Sequence, residues 1–204
     1  GASVVLDLHV ASNPDHHEPV RSDLAVTAAA SICHTLMQMQ QQFGLISNGR
    51  DAADRMASTQ RQSEFASLES AQKQVAMREA SDRLRPLVLQ NQRGAEHFEH
   101  VHKTLARLER TNGLKLEELL AETQSQMPRD ASVLVILQDV DETAALALGM
   151  LRRQGYAVSA IVNNYENEAF TTAAGRLMAQ HIAVHHLLDE SSIAQICKQL
   201  VLHY

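Results

Sequence analysis

The last third of the chain constrains its fold more than any other part. Short apolar segments at 132–137, 156–162 and 182–186 alternate with longer segments at 142–154, 167–180 and 190–202, whose apolar residues recur at helical spacing. Gly155 sits where the first of these helices should stop. Strand, helix, strand at this spacing means parallel strands, because a parallel pair needs a long crossover connection. Such crossovers are right-handed. The expected class is therefore α/β, with a doubly wound, mostly parallel sheet.

The start of the chain fits the same scheme. Val4-Val5-Leu6 followed by Asp7 reads as a buried parallel strand with a polar residue at its exit. Asn13-Pro14-Asp15 signals a turn, and residues 20–42 read as an Ala-rich helix lying against a sheet. Phe43–Ser47 is a second strand, closed by Asn48-Gly49. Residues 51–83 are Gln- and Arg-rich and read as a helical insertion. Leu87-Val88-Leu89 follows Pro86, which places that strand at a sheet edge. Helices are expected at 95–110 and 115–126, separated by Thr111-Asn112-Gly113. All of this makes one domain over 1–204, with the 51–83 insertion outside the crossover scheme. A chain that opens directly on a central strand is what a domain cut from a longer protein should look like.

Composition narrows the function classes. Of 204 residues 45% are apolar, enough to bury a sizeable core and too many for a disordered chain. Aromatics are 3% and Trp is absent, which argues against a stacking platform for nucleic acid. Two cysteines, Cys33 and Cys197, make no disulfide framework and suit a reducing, cytoplasmic compartment. No apolar run is long enough to span a bilayer, so no membrane contact is expected within these residues. The net charge is −6, yet residues 50–93 carry a local excess of basic groups.

Ligands of a doubly wound sheet bind at the C-terminal ends of the strands, where the strand order reverses. Asp7 and Asp139 both stand at strand exits. If their strands are neighbours, the two carboxylates face one crevice, and oxygen ligands there suit Mg²⁺. The structural alternative is that each caps the turn behind its strand. Both readings stay open on the residues alone. No G-x-G-x-x-G, P-loop or G-x-S-x-G string occurs, which disfavours dinucleotide, nucleoside triphosphate and serine-hydrolase sites. Cys33 falls on an apolar helix face, the place of an inert thiol. The eleven histidines have no zinc spacing and read as surface residues.

The most distinctive string is Phe43-Gly44-Leu45-Ile46-Ser47-Asn48-Gly49-Arg50-Asp51-Ala52-Ala53-Asp54-Arg55. Asn48-Gly49 allows positive φ, so a sharp turn off the strand is expected. Arg50, Asp51, Asp54 and Arg55 then alternate in sign over a short helix. Two readings follow: a turn stapled by its own charges, or a contact surface for a protein partner.

These residues carry a resemblance. The Val4–Asp7 strand exit, the Ala-rich helix after it, the 44–55 string, and Arg85-Pro86 leading through Arg93-Gly94 to Phe98 and Leu105-Ala106-Arg107-Leu108 resemble the bacterial "domain of unknown function fifty-eight" family. Members are similar to von Willebrand factor A (vWA) domains and are typically encoded beside MoxR-type AAA+ ATPases. The resemblance implies a Rossmann-like three-layer sheet of order 3-2-1-4-5-6 with an antiparallel edge strand. It implies a protein partner, such as the MoxR-type ATPase, and membrane segments upstream of this domain. The metal motif of vWA domains, D-x-S-x-S, is degenerate here. Asp7 matches its first position, His9 and Ala11 replace the two serines, and Asp139 matches the later acid. The later Thr has no match, with Thr111, Lys115 and Leu116 standing near its place. The metal candidates are thus Asp7, His9 and Asp139, and no cofactor is expected beyond Mg²⁺.

The function these readings favour is a non-enzymatic protein-interaction domain that uses Asn48, Gly49, Arg50, Asp51, Asp54 and Arg55. The alternative is an Mg²⁺-dependent hydrolase or phosphotransferase, or a small-ligand binder, at the Asp7/Asp139 edge. It requires a third convergent carboxylate or a base, and no strand exit supplies one.

Overall fold

The computed structural model describes residues 1–12, 15–53, 77 and 83–203. In chain order these form β1 (Ala2–Leu6), α1 (Val20–Gln38), β2 (Phe43–Ser47), β3 (Arg50–Asp51), β4 (Leu87–Gln92), α2 (Ala95–Leu105), β5 (Leu108–Glu109) and α3 (Leu116–Thr123). Then follow β6 (Ser132–Leu137), α4 (Glu142–Arg153), β7 (Ala157–Val162), α5 (Asn167–Ala179), β8 (Ala183–His186) and α6 (Glu190–His203). Most of the expected 51–83 insertion, with Asp54 and Arg55, lies outside the described residues.

Six strands make one sheet in the order β4-β2-β1-β6-β7-β8. All neighbours are parallel except β4, which runs antiparallel to β2 at the edge. This is the three-layer α/β/α architecture of Rossmann-like and vWA-like domains, with the strand order expected. Pro86 precedes β4, where the missing amide hydrogen costs no ladder bond. Gly44 allows the edge strand its irregular register, since a Cβ there would stand 2.6 Å from the Leu89 carbonyl oxygen.

Each face of the sheet is sealed by its own helices. Val4 and Leu6 of β1 and Leu134 and Ile136 of β6 pack beneath α1, α2 and α6. Val5, Val133, Val135 and Leu137 point the other way, into α3, α4 and α5. Strands buried on both sides are largely apolar, as β1, β2 and β6 are, each with a single serine. α1 is covered by the sheet and by its neighbours α2 and α6, hence its run of small and aliphatic residues. Among the described residues no helix is long and apolar enough to cross a membrane.

Local chemistry ends the elements where they end. Asp141 caps α4, its carboxylate accepting from the Ala144 amide at 2.7 Å. Gly155, at φ +99°, takes the left-handed conformation that stops the same helix. The helix expected over 95–110 stops at Leu105, because 108–109 pairs with Arg50–Asp51 as a ribbon. Arg50 and Asp51 are therefore strand, not the first turn of a helix. Asn48 and Gly49 are absent from the positive-φ residues. Gly49 is needed instead for close approach, since a Cβ would come within 2.8 Å of the Leu8 side chain.

Candidate functional site

β1 and β6 are neighbours whose crossover helices leave to opposite faces: α1 after β1, α4 after β6. That is the switch point at which α/β sheets open a crevice. A cleft of about 70 Å³ lies there, lined by Asp7, His9, Ala11 and Ser12 after β1 and by Asp139 and Asp141 after β6. Lys115, Leu116 and Glu117 at the start of α3 close its third side, with Ala144 of α4 as its floor. Asp7, His9 and Asp139 thus line a single cleft. Lys115 and Leu116, which stand near the place of the missing Thr, line it too, whereas Glu117 and Asp141 were not anticipated. The signal for Asp141 was legible, since Asp followed by Glu-Thr-Ala before a helical run is an N-cap pattern.

Asp7 is 2% exposed and is fully engaged by its surroundings. Its Oδ1 accepts from the His9 amide at 3.0 Å and from the Asn48 side-chain amide at 2.7 Å. Its Oδ2 accepts from the Ser12 hydroxyl at 2.6 Å. Charge-assisted bonds this short hold the loop after β1 rigidly. His9 is also buried and turned inward, its Nδ1 accepting from the Ala11 amide at 3.1 Å. A parallel bridge to Thr111 anchors the same residue. Asp139 is exposed, with Oδ1 accepting from the Val140 amide at 2.7 Å.

These donors do not fit an Mg²⁺ site. Both oxygens of Asp7 serve the loop, and the His9 nitrogen nearest its own backbone serves a turn. Among the described residues no three or more His, Cys, Asp or Glu side chains are grouped to hold a metal. The geometry is that of the capping alternative. Asp141 is held below the ordinary carboxylate range, first by the Ala144 amide, then by the Thr143 hydroxyl, Lys115 and Arg176. Four carboxylates face one ammonium in the cleft, so its field is negative.

Asn48 is the unexpected organiser of this edge. It is 3% exposed and joins three segments. Its Oδ1 accepts from the Leu8 amide at 2.8 Å, and its Nδ2 donates to Asp7 and to the Leu114 carbonyl at 2.9 Å. The Gly49 amide donates to the Ser47 hydroxyl, which in turn donates to the Leu6 carbonyl. Asn48 and Gly49 therefore face inward. Asp51 pairs with Arg107 at 3.1 Å and accepts from the Ala53 amide at 2.8 Å. Arg50 keeps Nε and one terminal nitrogen buried without a hydrogen-bond partner. The 48–51 turn is stapled, and its charges are engaged locally or covered.

A second polar knot closes the same edge beyond β7 and β8. Arg21 of α1 is 5% exposed and donates to Asn163 Oδ1 and to the Leu187 and Leu188 carbonyls at 3.0–3.3 Å. The Asn163 amide returns a bond to the Arg21 carbonyl at 2.7 Å. The guanidinium lies 4.5 Å from the Tyr165 ring centre. Burial depresses its pKa, while Tyr165 and Asp189 act to raise it.

Not every histidine is at the surface. His97 is 8% exposed, its Nε2 2.9 Å from the Phe43 carbonyl, and burial lowers its pKa. Cys33 is buried as expected, its thiol pushed up to about 12.

No family model matches the sequence, and no curated protein matches it. Solved structures do resemble the fold. The pilus adhesin SpaC from Lactobacillus rhamnosus GG aligns with a TM-score of 0.61 at 7% identity, over 99% of this chain and 30% of that one. Proximal thread matrix protein 1 from the mussel byssus aligns at 0.56 and 10% identity, over 98% and 46%. The D319A mutant of the PilB minor pilin from Streptococcus sanguinis aligns at 0.56 and 9% identity, over 98% and 60%. At these identities the likeness is one of fold. The chain spans less than two thirds of each of these structures.

Proposed function

We propose that this is a protein-interaction domain without catalytic activity, which engages its partner at the cleft between the β1 and β6 exits. The observation that carries the reading is the division of labour among the carboxylates. Asp7 is buried and engaged in shaping the loop, whereas Asp139, Asp141 and Glu117 stand at the mouth of the cleft. A rigid, negatively charged recess of about 70 Å³ suits one side chain of a partner better than a whole substrate. The partner class comes from the sequence resemblance: a MoxR-type AAA+ ATPase.

The test is a titration of the purified domain with a purified MoxR-type ATPase, using Asp139→Lys as the probe of the cleft. Asp139 is exposed, so the variant should fold as the wild type does. We expect binding that the substitution weakens by about tenfold or more. Binding indifferent to Asp139→Lys would move the interface elsewhere, and no binding at all would remove the ATPase as partner.

A further inference from the structure

Beside the cleft, α3 and α4 run in the same direction, both starting at the C-terminal edge of the sheet. They leave between them an apolar groove of about 310 Å³. Its walls are Leu120 on α3 and Leu146, Ala147, Met150 and Leu151 on α4. Leu146 and Met150 are 44% and 54% exposed and lie one helical turn apart, on the same face. Most other exposed aliphatic residues stand singly, as is normal for a surface. At the far end the Gln124 and Gln154 side chains are hydrogen-bonded to each other. At the near end Glu117 lines both the groove and the acidic cleft, so the two recesses share a wall.

The charges along this surface are polarised. The cleft end presents Glu117, Asp139 and Asp141 around the single ammonium of Lys115, with Glu142 in the first turn of α4. The opposite end of α4 carries Arg152 and Arg153. An occupant of the groove is therefore selected on two counts. It needs apolar side chains to cover Leu146 and Met150, and it needs a cation at the end lying over Glu117. The groove runs from Glu117 to Gln124 along α3, about 10 Å at 1.5 Å per residue, which is two helical turns. An amphipathic helix laid in a groove between helices meets both needs, with its anchors at i and i+3 or i+4.

We propose that the α3–α4 groove docks a two-turn amphipathic helix of a protein partner, whose apolar residues cover Leu146 and Met150 and whose Lys or Arg enters the acidic cleft past Glu117. This rests on the protein-interaction reading of the cleft and adds the chemistry of the partner segment. The cation offsets the net negative charge left by four carboxylates around Lys115, and the apolar anchors supply most of the affinity.

The experiment uses the whole chain and a displayed library of random helical peptides, followed by anisotropy titration of the enriched consensus peptide. The expected result is enrichment of sequences with an apolar pair one turn apart and a Lys or Arg beyond one end of it. Leu146→Glu and Met150→Glu should each weaken the consensus peptide by about tenfold or more. Glu117→Lys should weaken it too and, in a fresh selection, exchange the preferred cation for an acid. Both apolar positions are exposed, so unchanged circular dichroism and melting will show that the variants fold. Absence of enrichment, enrichment without a basic residue, or binding indifferent to Leu146→Glu and Met150→Glu would each overturn the proposal. So would concentration-dependent dimerisation abolished by Met150→Glu, since a second copy would then be the occupant. ATPase binding that depends on Asp139 without any peptide enrichment would discard the groove and keep the cleft. Peptide enrichment without ATPase binding would do the reverse for the partner class.

Discussion

The two polar knots at the C-terminal edge of the sheet are near mirror images in charge and opposites in use. Beyond β1 and β6 a buried carboxylate, Asp7, is surrounded by neutral donors: an amide, a hydroxyl and the Asn48 side chain. Beyond β7 and β8 a buried guanidinium, Arg21, is surrounded by neutral acceptors: two carbonyls and the Asn163 side chain. Each uses an asparagine to tie separate strand exits together. The outcome differs because of what lies next door. The Arg21 guanidinium is buried and lies 4.5 Å from the Tyr165 ring centre. Asp7 is drawn down into its loop, and the cleft above it stays open between Asp139, Asp141, Lys115 and Glu117. One edge of one sheet thus holds a buried structural knot and, among the described residues, an open recess.

The largest expected effect is at Asp7. Asp7→Ala leaves the Asn48 amide, the Ser12 hydroxyl and the His9 amide without their common acceptor. Several orphaned donors at a buried site should cost about 3 kcal/mol, read as a lower midpoint in chemical denaturation. Asp7→Asn, which keeps an acceptor oxygen, should lose less than half of that. Equal losses would mean that the negative charge matters rather than the bonds.

Arg21→Met comes second, at about 1–2 kcal/mol. It also strands acceptors, the Leu187 and Leu188 carbonyls and Asn163. Yet the guanidinium is itself costly to bury: no carboxylate hydrogen-bonds it, and desolvation depresses its pKa. Removing it relieves that penalty while Met retains the packing. Should Arg21→Met destabilise more than Asp7→Ala, the knots are not equivalent in the way described, and Arg21 is the stronger fastener.

How much of this edge was legible follows from which residues signal locally. The order of the sheet came from strand and helix spacing and from the resemblance, because crossover rules leave few arrangements of such segments. Asp7 and Asp139 were legible as a pair, since acids at strand exits converge once their strands are neighbours. The capping role of Asp7 was one of two open readings, and the structure's hydrogen bonds favour it. Asn48 was misread as a turn residue because Asn-Gly is a strong local signal for positive φ. Its buried amide, bonded to partners 41 and 66 positions away in sequence, has no local signature. Arg21 was invisible for the same reason: its acceptors lie 142–167 residues downstream. The helix boundary at Leu105 was missed because the β3–β5 ribbon is a tertiary pairing that overrides helical propensity.

Smaller effects probe the open side. Asp141→Ala removes the N-cap of α4 and should cost about 1 kcal/mol at neutral pH. The folded-state pKa of Asp141 is depressed, so its contribution is present above the unfolded carboxylate value. It is lost as pH falls through the folded value. Thermal melts of wild type and Asp141→Ala should therefore differ at pH 7 and converge in strong acid. A gap that persists at low pH would assign the loss to helix propensity rather than to the charged cap.

The smallest effect on stability is expected at Lys115, and it tests the open recess most directly. The side chain is exposed, so Lys115→Met should change stability by no more than about 0.5 kcal/mol. Its ammonium nevertheless lines the cleft as the single cation among four carboxylates, and it is one of the groups that hold Asp141 low. Replacing it should let the Asp141 pKa rise toward the ordinary value, a change that side-chain carboxyl NMR can follow. The rise should be partial, because the Ala144 amide and the Thr143 hydroxyl act on Asp141 ahead of Lys115. No comparable response is expected at the closed knot, where Arg21 is held by its own neighbours on the far side of the sheet edge. If Asp141 does not move, Lys115 points away from the cleft and the recess is more acidic than described. If Asp141 moves and the melting temperature falls by many degrees, the ammonium is a structural tie, and the β1/β6 exit is as closed as the other.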